Sequence, residues 1–317
     1  MNEGVTIVMY HYVRSLSASR YPGIKGLELS QFREQLEFFK SEGARFIGAQ
    51  ELLGALDGGL KLPPKAVLLT FDDGYIDHYT NVFPILRLEG IPAFFSMPGR
   101  ILAERRVLDV NKIHFVLASL PVGELLPMVM ERLDHYRGKE FEIPPNEVLY
   151  RKLAAESRFD PPEVIFIKRL LQAELEETLR NRIVDEMFRA CVPLPEEAFA
   201  KELYMSYDQV RLMRQEGMDF GIHGYDHYWM NRLTLQALDR DVALALEVFG
   251  GIVDPKRWIC CYPYGSCSDD VIRLIRKRGA AAGVTTEADR ALPCVHDRFR
   301  LPRYDTNDFP PKTARPL

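Results

Sequence analysis

Apolar residues in this chain follow two alternating rhythms. One is the short, largely β-branched or aromatic run, seen at Val5–Tyr10 and over residues 66–69, 91–97, 219–222, 257–262 and 281–285, with weaker candidates at 45–48 and 299–304. Such runs predict strands. The other is the helical spacing of Phe32, Leu36 and Phe39, behind a Ser30 cap and ahead of Gly43, repeated by Val82, Ile85 and Leu86 before Gly90. Val210, Leu212 and Met213 between Ser206 and Gly217 continue it, as do residues 234–249 and 268–278. Capping side chains at the start and glycine after the end punctuate helices in this way. Strand followed by helix, repeated, predicts an α/β chain built on a parallel sheet or barrel.

The rhythm breaks over residues 104–203. That stretch is rich in Glu, Arg and Leu, is interrupted by Pro144-Pro145 and Pro161-Pro162, and offers no clear strand. Leu171, Leu175, Leu179, Ile183 and Met187 predict one long amphipathic helix there. The expectation is a single domain over residues 1–317 with a helical insertion at 104–203. The insertion's apolar face would cover the site, pair with a second copy in a homodimer, or simply pack on the body.

Composition narrows the classes of function. Hydrophobic content of 47% and charged content of 27% suit a globular chain, and a net charge of −4 argues against a general nucleic-acid binder. No apolar run reaches the length of a transmembrane span. Met1-Asn2-Glu3-Gly4 lacks the basic start and apolar core of a secretion leader. Five cysteines without a regular framework fit reduced thiols in a cytoplasmic protein. Cys260, Cys261 and Cys267, with Cys294 further on, lack zinc-ribbon spacing and read as buried free thiols.

Polar residues follow several of the predicted strands. His11 comes after the first, Asp72-Asp73-Gly74 after the run at 66–69, His223 after 219–222, and Pro263-Tyr264-Gly265 after 257–262. In a β/α barrel all strands point one way, so these residues share one rim. A carboxylate with the paired imidazoles of His223 and His227 is a three-donor set for Zn²⁺ or a similar ion with an open position. The first Asp of the pair is then available for acid–base work. Asp-Gly could be only a turn, His227 a surface residue and Pro-Tyr-Gly a loop. Separate accounts of that kind leave the convergence on one rim unexplained.

Thr70-Phe71-Asp72-Asp73-Gly74, His223-Gly224-Tyr225-Asp226-His227 and Tyr262-Pro263-Tyr264-Gly265 resemble the first, second and third motifs of the polysaccharide deacetylases, the NodB-homology or carbohydrate esterase family 4 enzymes. The resemblance covers roughly residues 1–103 and 204–305 and leaves out the helical segment. It implies a distorted (β/α) barrel with seven or eight strands and metal-dependent hydrolysis of the N-acetyl group of an amino sugar. Carried over by residue, it implies Asp73, His223 and His227 as ligands of a divalent metal. Zn²⁺ is the first expectation, with Co²⁺, Ni²⁺ or Mn²⁺ as alternatives. It also implies Asp72 as general base and the backbone N–H of Tyr264, in a turn set by Pro263 and Gly265, as an oxyanion donor.

Three departures qualify the resemblance. Gly224 stands where the second motif usually has Ser or Thr to buttress the metal loop. The third motif offers no arginine to orient the catalytic Asp, a charge that Arg303 in Leu301-Pro302-Arg303-Tyr304 could supply. The family's late Leu-x-His histidine is missing as well. Two residues compete for its role as general acid. His296 is late but lies among loop-like residues, whereas His11 ends a predicted strand and resembles the subgroup whose last motif has moved to the N-terminus by circular permutation. His11 is the favoured acid, and His78, His114 and His135 read as packing or surface residues.

The resulting expectation is a cytoplasmic N-deacetylase acting on an N-acetylated sugar or glycan precursor in cell-surface polysaccharide or lipopolysaccharide biosynthesis. Hydrolysis of another C–N amide, in a formamido sugar or a small amide, is the alternative within the same chemistry. A catalytically inactive carbohydrate-binding relative is the alternative outside it.

Overall fold

The computed structural model describes residues 4–17, 19–157 and 160–313. Met1, Asn2 and Glu3, used above in reading the N-terminus, lie outside the described residues. Among the described residues no helix is long and apolar enough to cross a membrane. The chain divides into two compact units. The first comprises Met1–Ser15, Gly26–Arg105 and Ala200–Leu317, and the second Leu16–Lys25 and Arg106–Phe199.

The first unit is built on an eight-stranded sheet: β1 (Val5–Tyr10), β2 (Arg45–Phe46), β3 (Ala66–Asp72), β4 (Ala93–Met97), β5 (Asp219–Ile222), β6 (Trp258–Cys261), β7 (Ala280–Val284) and β8 (Tyr304–Asp305). Hydrogen-bonded neighbours run β7-β6-β5-β4-β3-β1-β8, with β2 also on β3, and every pairing is parallel. The ends of this path approach each other through Leu301. Its N–H donates to Gly283 O at 3.0 Å, and its own carbonyl accepts from Thr285 N at 2.8 Å. The sheet is therefore a curled, distorted barrel surrounded by helices.

Side-chain alternation decides what the inside of that barrel contains. Val5 and Ile7, Ala66 and Leu68, Ile259 and Cys261, and Ala282 and Val284 share one apolar cluster with Leu52 and Leu53 of the helix Ala49–Leu56. Full burial of each larger apolar side chain contributes about 1.5–3 kcal/mol. Further along the same inward-facing series come Thr70 and then Asp72 on β3 and Ser96 after Phe94 on β4, all buried. The pleat that fills the lower barrel with hydrocarbon thus turns polar groups inward at its carboxyl end.

The second unit is helical, with elements such as Asp109–Ser119, Val122–Tyr136 and Glu177–Cys191. Buried Lys112 meets Glu196 at 2.9 Å and Asp185 at 2.5 Å, so its charge is paired. The segment Leu16–Lys25 joins this unit through Tyr21, whose ring meets Phe115 edge-on at 5.1 Å. His114 lies half-buried on the first of these helices, and His135 packs edge-on against Tyr136.

Four readings of the sequence need correction. The helix expected from Ser30 begins at Leu29 behind Glu28, whose N–H donates to the Gln31 side chain at 3.3 Å. The single long helix through Leu171 and Met187 is broken. Leu170–Glu174 is a π-helical turn, Leu175 is extended at φ −72° and ψ 150°, and Glu177–Cys191 starts afresh. Glu176 caps that new start, its carboxylate accepting from Thr178 N at 3.2 Å. Because Leu171, Leu175 and Leu179 are all buried, the apolar spacing runs through the break unmarked. The strand expected at 299–304 shrinks to Tyr304–Asp305, since the preceding residues form the Leu301 bridge instead. The cysteines near the third motif do not all read as buried, because Cys267 is half-buried and Cys294 exposed.

Candidate functional site

Parallel strands bring the polar residues to one rim. Tyr10 pairs in register with Phe71, so His11 and Asp72 follow side by side. Asp72 pairs with Ser96, and Met97 with Ile222, which places His223 one residue beyond the end of β5. Asp73, His227 and Tyr264 each adopt a left-handed backbone, with φ of +73°, +61° and +58°. Non-glycine residues are strained there, and surrounding packing has to hold them. Gly74 (φ +68°) takes the turn after the Asp pair, and a Cβ on it would stand 2.6 Å from Met97 Cε and 2.7 Å from Ile101 Cδ1.

Asp73, His223 and His227 come together. Asp73 Oδ1 lies 3.4 Å from His223 Nε2 and 3.3 Å from His227 Nε2. Those separations match the roughly 3.3 Å edge of a tetrahedron of donors about 2.0–2.1 Å from a central Zn²⁺. All three side chains are buried, yet Asp73 Oδ1 has no hydrogen-bond partner among the described residues. A buried carboxylate oxygen without a donor is costly, and a cation among these atoms removes the cost. His223 Nδ1 donates to Cys261 O at 2.7 Å, which turns the Nε2 lone pair towards the cluster. The residues present therefore fit a divalent metal.

Asp72 is held differently. Arg303 grips it as a fork, Nη2 at 2.9 Å from Oδ2 and Nη1 at 3.1 Å from Oδ1. Ser96 Oγ donates to Oδ1 at 2.5 Å, and Cys261 Sγ lies 3.3 and 3.4 Å from the two oxygens. Arg303 is itself buried and is fixed by Thr285 O at 2.8 Å and Thr70 Oγ1 at 3.1 Å. Burial alone would raise the Asp72 carboxyl, but the charge of Arg303, aided by His223 and His11, holds it well below the usual carboxylate range. Asp73 is likewise lowered, with burial outweighed by its contacts to His223 and His227. For His223, burial is outweighed by Cys261, Asp73 and Asp72, and its value rises. For His227, burial prevails and its value falls.

Sequence reasoning missed how the second motif is supported. Asp241, on the helix Leu235–Val248, accepts from Tyr225 N at 2.9 Å and Asp226 N at 3.0 Å inside the loop that carries both histidines. Burial raises its carboxyl, offset in part by those two N–H donors. Its sequence signal was an acid on the buried stripe Leu238, Val242 and Ala245. Arg100 adds an ion pair to Asp226 at 2.8 Å. Tyr75 and Trp229 were missed as well. Tyr75 donates its hydroxyl to Asp73 Oδ2 at 2.6 Å, and Trp229 stacks on Tyr264 at 4.6 Å with the rings 7° from parallel. Tyr264 in turn meets the His227 ring edge-on at 4.8 Å. Buried Pro263 opens its turn, closed by Gly265 N to Tyr262 O at 2.9 Å and tied to the segment after His227 through Ser266 Oγ, which accepts from Met230 N at 2.9 Å.

The two competing histidines are far apart in the fold. His11, half-buried, follows the carboxyl end of β1 beside Asp72, and its charge acts on both Asp72 and Asp73. His78 is buried behind it and donates Nε2–H to His11 O at 2.9 Å. His296 instead accepts from Leu292 N at 2.9 Å in the turn after Ala291, which bridges Val5 at the opposite end of β1. The six residues of β1, about 16 Å from end to end, separate those two levels.

Comparison with known proteins agrees with this geometry. The family model described as polysaccharide deacetylase matches residues 59–124 and 195–283, which include Asp72, Asp73, His223, His227 and Pro263-Tyr264-Gly265. The chain belongs to the polysaccharide deacetylase family. Residues 125–194, between the matched segments, lie in the helical unit. Among curated relatives, the poly-β-1,6-N-acetyl-D-glucosamine N-deacetylase of Escherichia coli K12 is 35% identical over 98 residues, 31% of this chain and 14% of that protein. The Bacillus subtilis protein YxkH is 19% identical over 285 residues, 90% of this chain and 65% of that one. Matches to these deacetylase relatives thus span less than two thirds of their length. Among solved structures, IcaB from Ammonifex degensii shares the fold with a TM-score of 0.56 at 19% identity, covering 95% of this chain and 91% of that one.

Proposed function

We propose that this polysaccharide deacetylase family member is a metal-dependent hydrolase that removes the acetyl group from N-acetylated amino sugars. Its substrate would be a surface glycan or glycan precursor, as in cell-surface polysaccharide or lipopolysaccharide assembly, and its cysteine usage favours the cytoplasm. One observation carries the reading. A buried Asp73 oxygen without a hydrogen-bond donor faces two imidazole nitrogens, beside a second carboxylate kept ionised by Arg303. The Escherichia coli relative is named for poly-β-1,6-N-acetyl-D-glucosamine, which makes that polymer the first substrate to try.

Asp73, His223 and His227 would hold the ion, most simply Zn²⁺, with Co²⁺, Ni²⁺ or Mn²⁺ as alternatives. Bound there, it supplies a Lewis acid that polarises the amide carbonyl and lowers the pKa of water towards about 7. Asp72, ionised across the neutral range, takes the proton of the attacking water as general base. Arg303 keeps that carboxylate oriented and charged. The backbone N–H of Tyr264 donates to the developing oxyanion from a turn that Pro263 fixes. His11, beside Asp72 on the rim, protonates the leaving amine.

The test separates the neighbouring carboxylates. Bound metal and released acetate are measured for wild type, Asp73→Asn and Asp72→Asn, with poly-β-1,6-N-acetylglucosamine oligomers and N-acetylated nucleotide sugars as substrates. Asp73→Asn should lose metal, whereas Asp72→Asn should keep it and lose nearly all hydrolysis. Equal metal loss in both variants, or no acetate from metal-loaded wild type on any substrate, overturns the reading.

A further inference from the structure

The Asp73 carboxylate is used asymmetrically. Its Oδ2 accepts the Tyr75 hydroxyl at 2.6 Å, while its Oδ1, without a hydrogen-bond partner among the described residues, faces His223 and His227. Tyr75 is completely buried and has little room to leave. Tyr12 stacks on its ring at 3.9 Å, and Tyr204 lies nearly parallel at 6.3 Å. The backbone is pinned as well, since Tyr75 bridges Tyr204 and Met205 N donates to Gly74 O at 3.0 Å.

We propose that Tyr75 is a positioning residue that restricts Asp73 to one oxygen towards the metal and so biases the site towards small ions with few ligands. The inference rests on the metal-binding reading of Asp73, His223 and His227. A carboxylate with both oxygens unengaged can chelate, which suits larger, oxygen-seeking ions that accept many ligands. With one oxygen committed to a phenol, Asp73 contributes a single donor beside two imidazoles. That set favours Zn²⁺, Co²⁺ or Ni²⁺ over Mn²⁺ or Ca²⁺, and it leaves positions open for water and substrate. Hydrogen-bond partners of metal ligands commonly change affinity by about 10–100-fold when removed.

Metal-free wild type and Tyr75→Phe, which keeps the stacked ring, are titrated with Zn²⁺ in competition with Mn²⁺, and each is loaded with Co²⁺ for its visible spectrum. The preference for Zn²⁺ over Mn²⁺ should fall about 10–100-fold in Tyr75→Phe, and its Co²⁺ bands should shift as the ligand set changes. The same preference and the same bands in both proteins overturn the inference while leaving the metal site intact. A wild type that takes up none of these ions overturns the metal reading and the inference together. A crystal structure of zinc-loaded wild type decides the question even if Tyr75→Phe does not fold. Asp73 bound through Oδ1 alone, with Oδ2 still on Tyr75, supports the inference, and a chelating Asp73 refutes it.

Discussion

Asp241 fills the space that a side chain at residue 224 would need: its Oδ2 lies 3.0 Å from where a Cβ on Gly224 would stand. Gly224, at φ +72°, carries no side chain to brace the loop, and the neighbouring helix supplies a carboxylate that accepts two of the loop's N–H groups. The brace comes from the helix behind the loop.

Asp241→Ala leaves the N–H groups of Tyr225 and Asp226 without their acceptor. The expected cost is about 1–3 kcal/mol of stability and a fall in metal affinity of about 10–100-fold. Gly224→Ser should also fail, because it strains a left-handed residue and displaces the same carboxylate. Denaturant melts and zinc titration of both variants check this, and unchanged zinc affinity in Asp241→Ala would remove Asp241 from the support of the site.

Arg303 and Asp72 are a fully desolvated pair, so breaking one side should cost more than losing both. Arg303→Met is expected to destabilise by about 3–5 kcal/mol, because it strands a buried carboxylate. Adding Asp72→Asn should recover part of that loss, and a double-mutant cycle measures the coupling. Asp72 is depressed in the folded state, so its contribution is present above its unfolded value of 3.8 and is lost only as pH falls through the lower folded value. It should give no stability slope near neutral pH.

His78 should give a slope. Burial, the largest influence on it, lowers its imidazole from 6.5 to about 4, so the folded protein holds it neutral. The unfolded chain binds a proton below pH 6.5 that the folded chain refuses until about pH 4. Its stabilisation is therefore complete above 6.5 and fades across that window, by about 3 kcal/mol in all. Stability against pH for wild type and His78→Gln should diverge between those limits, and parallel curves would assign the slope elsewhere.

His11→Ala should retain metal and lower turnover by about 10²–10⁴-fold. His296→Ala should change little, since it sits at the other end of β1. Acetate release and metal content of the two variants decide between them, and the reverse pattern would transfer the acid to His296.

Much of this protein was legible from short-range pattern. Apolar runs alternating with capped, glycine-stopped helices gave the α/β class, because strand and helix periodicity are written in neighbouring residues. Ser206, Thr234 and Ser268 cap helices through contacts only three residues away. Asp72, Asp73, His223, His227 and Pro263-Tyr264-Gly265 could be picked out for a related reason, since parallel strands place whatever follows them on one rim.

Tertiary structure decided how those residues are held. Arg303 reaches Asp72 across 231 positions, and Cys261 reaches it across 189. No local period encodes such a meeting, which follows from inward side chains converging as the sheet curls. Asp241 gave a hint as an acid on an apolar stripe, but only the packing of its helix against the loop says which N–H groups it serves. Sequence alone chose the chemical groups and the level of the barrel at which they stand. The buried interior of the curled sheet decided which carboxylate is locked ionised and which turns an unpartnered oxygen towards two imidazoles.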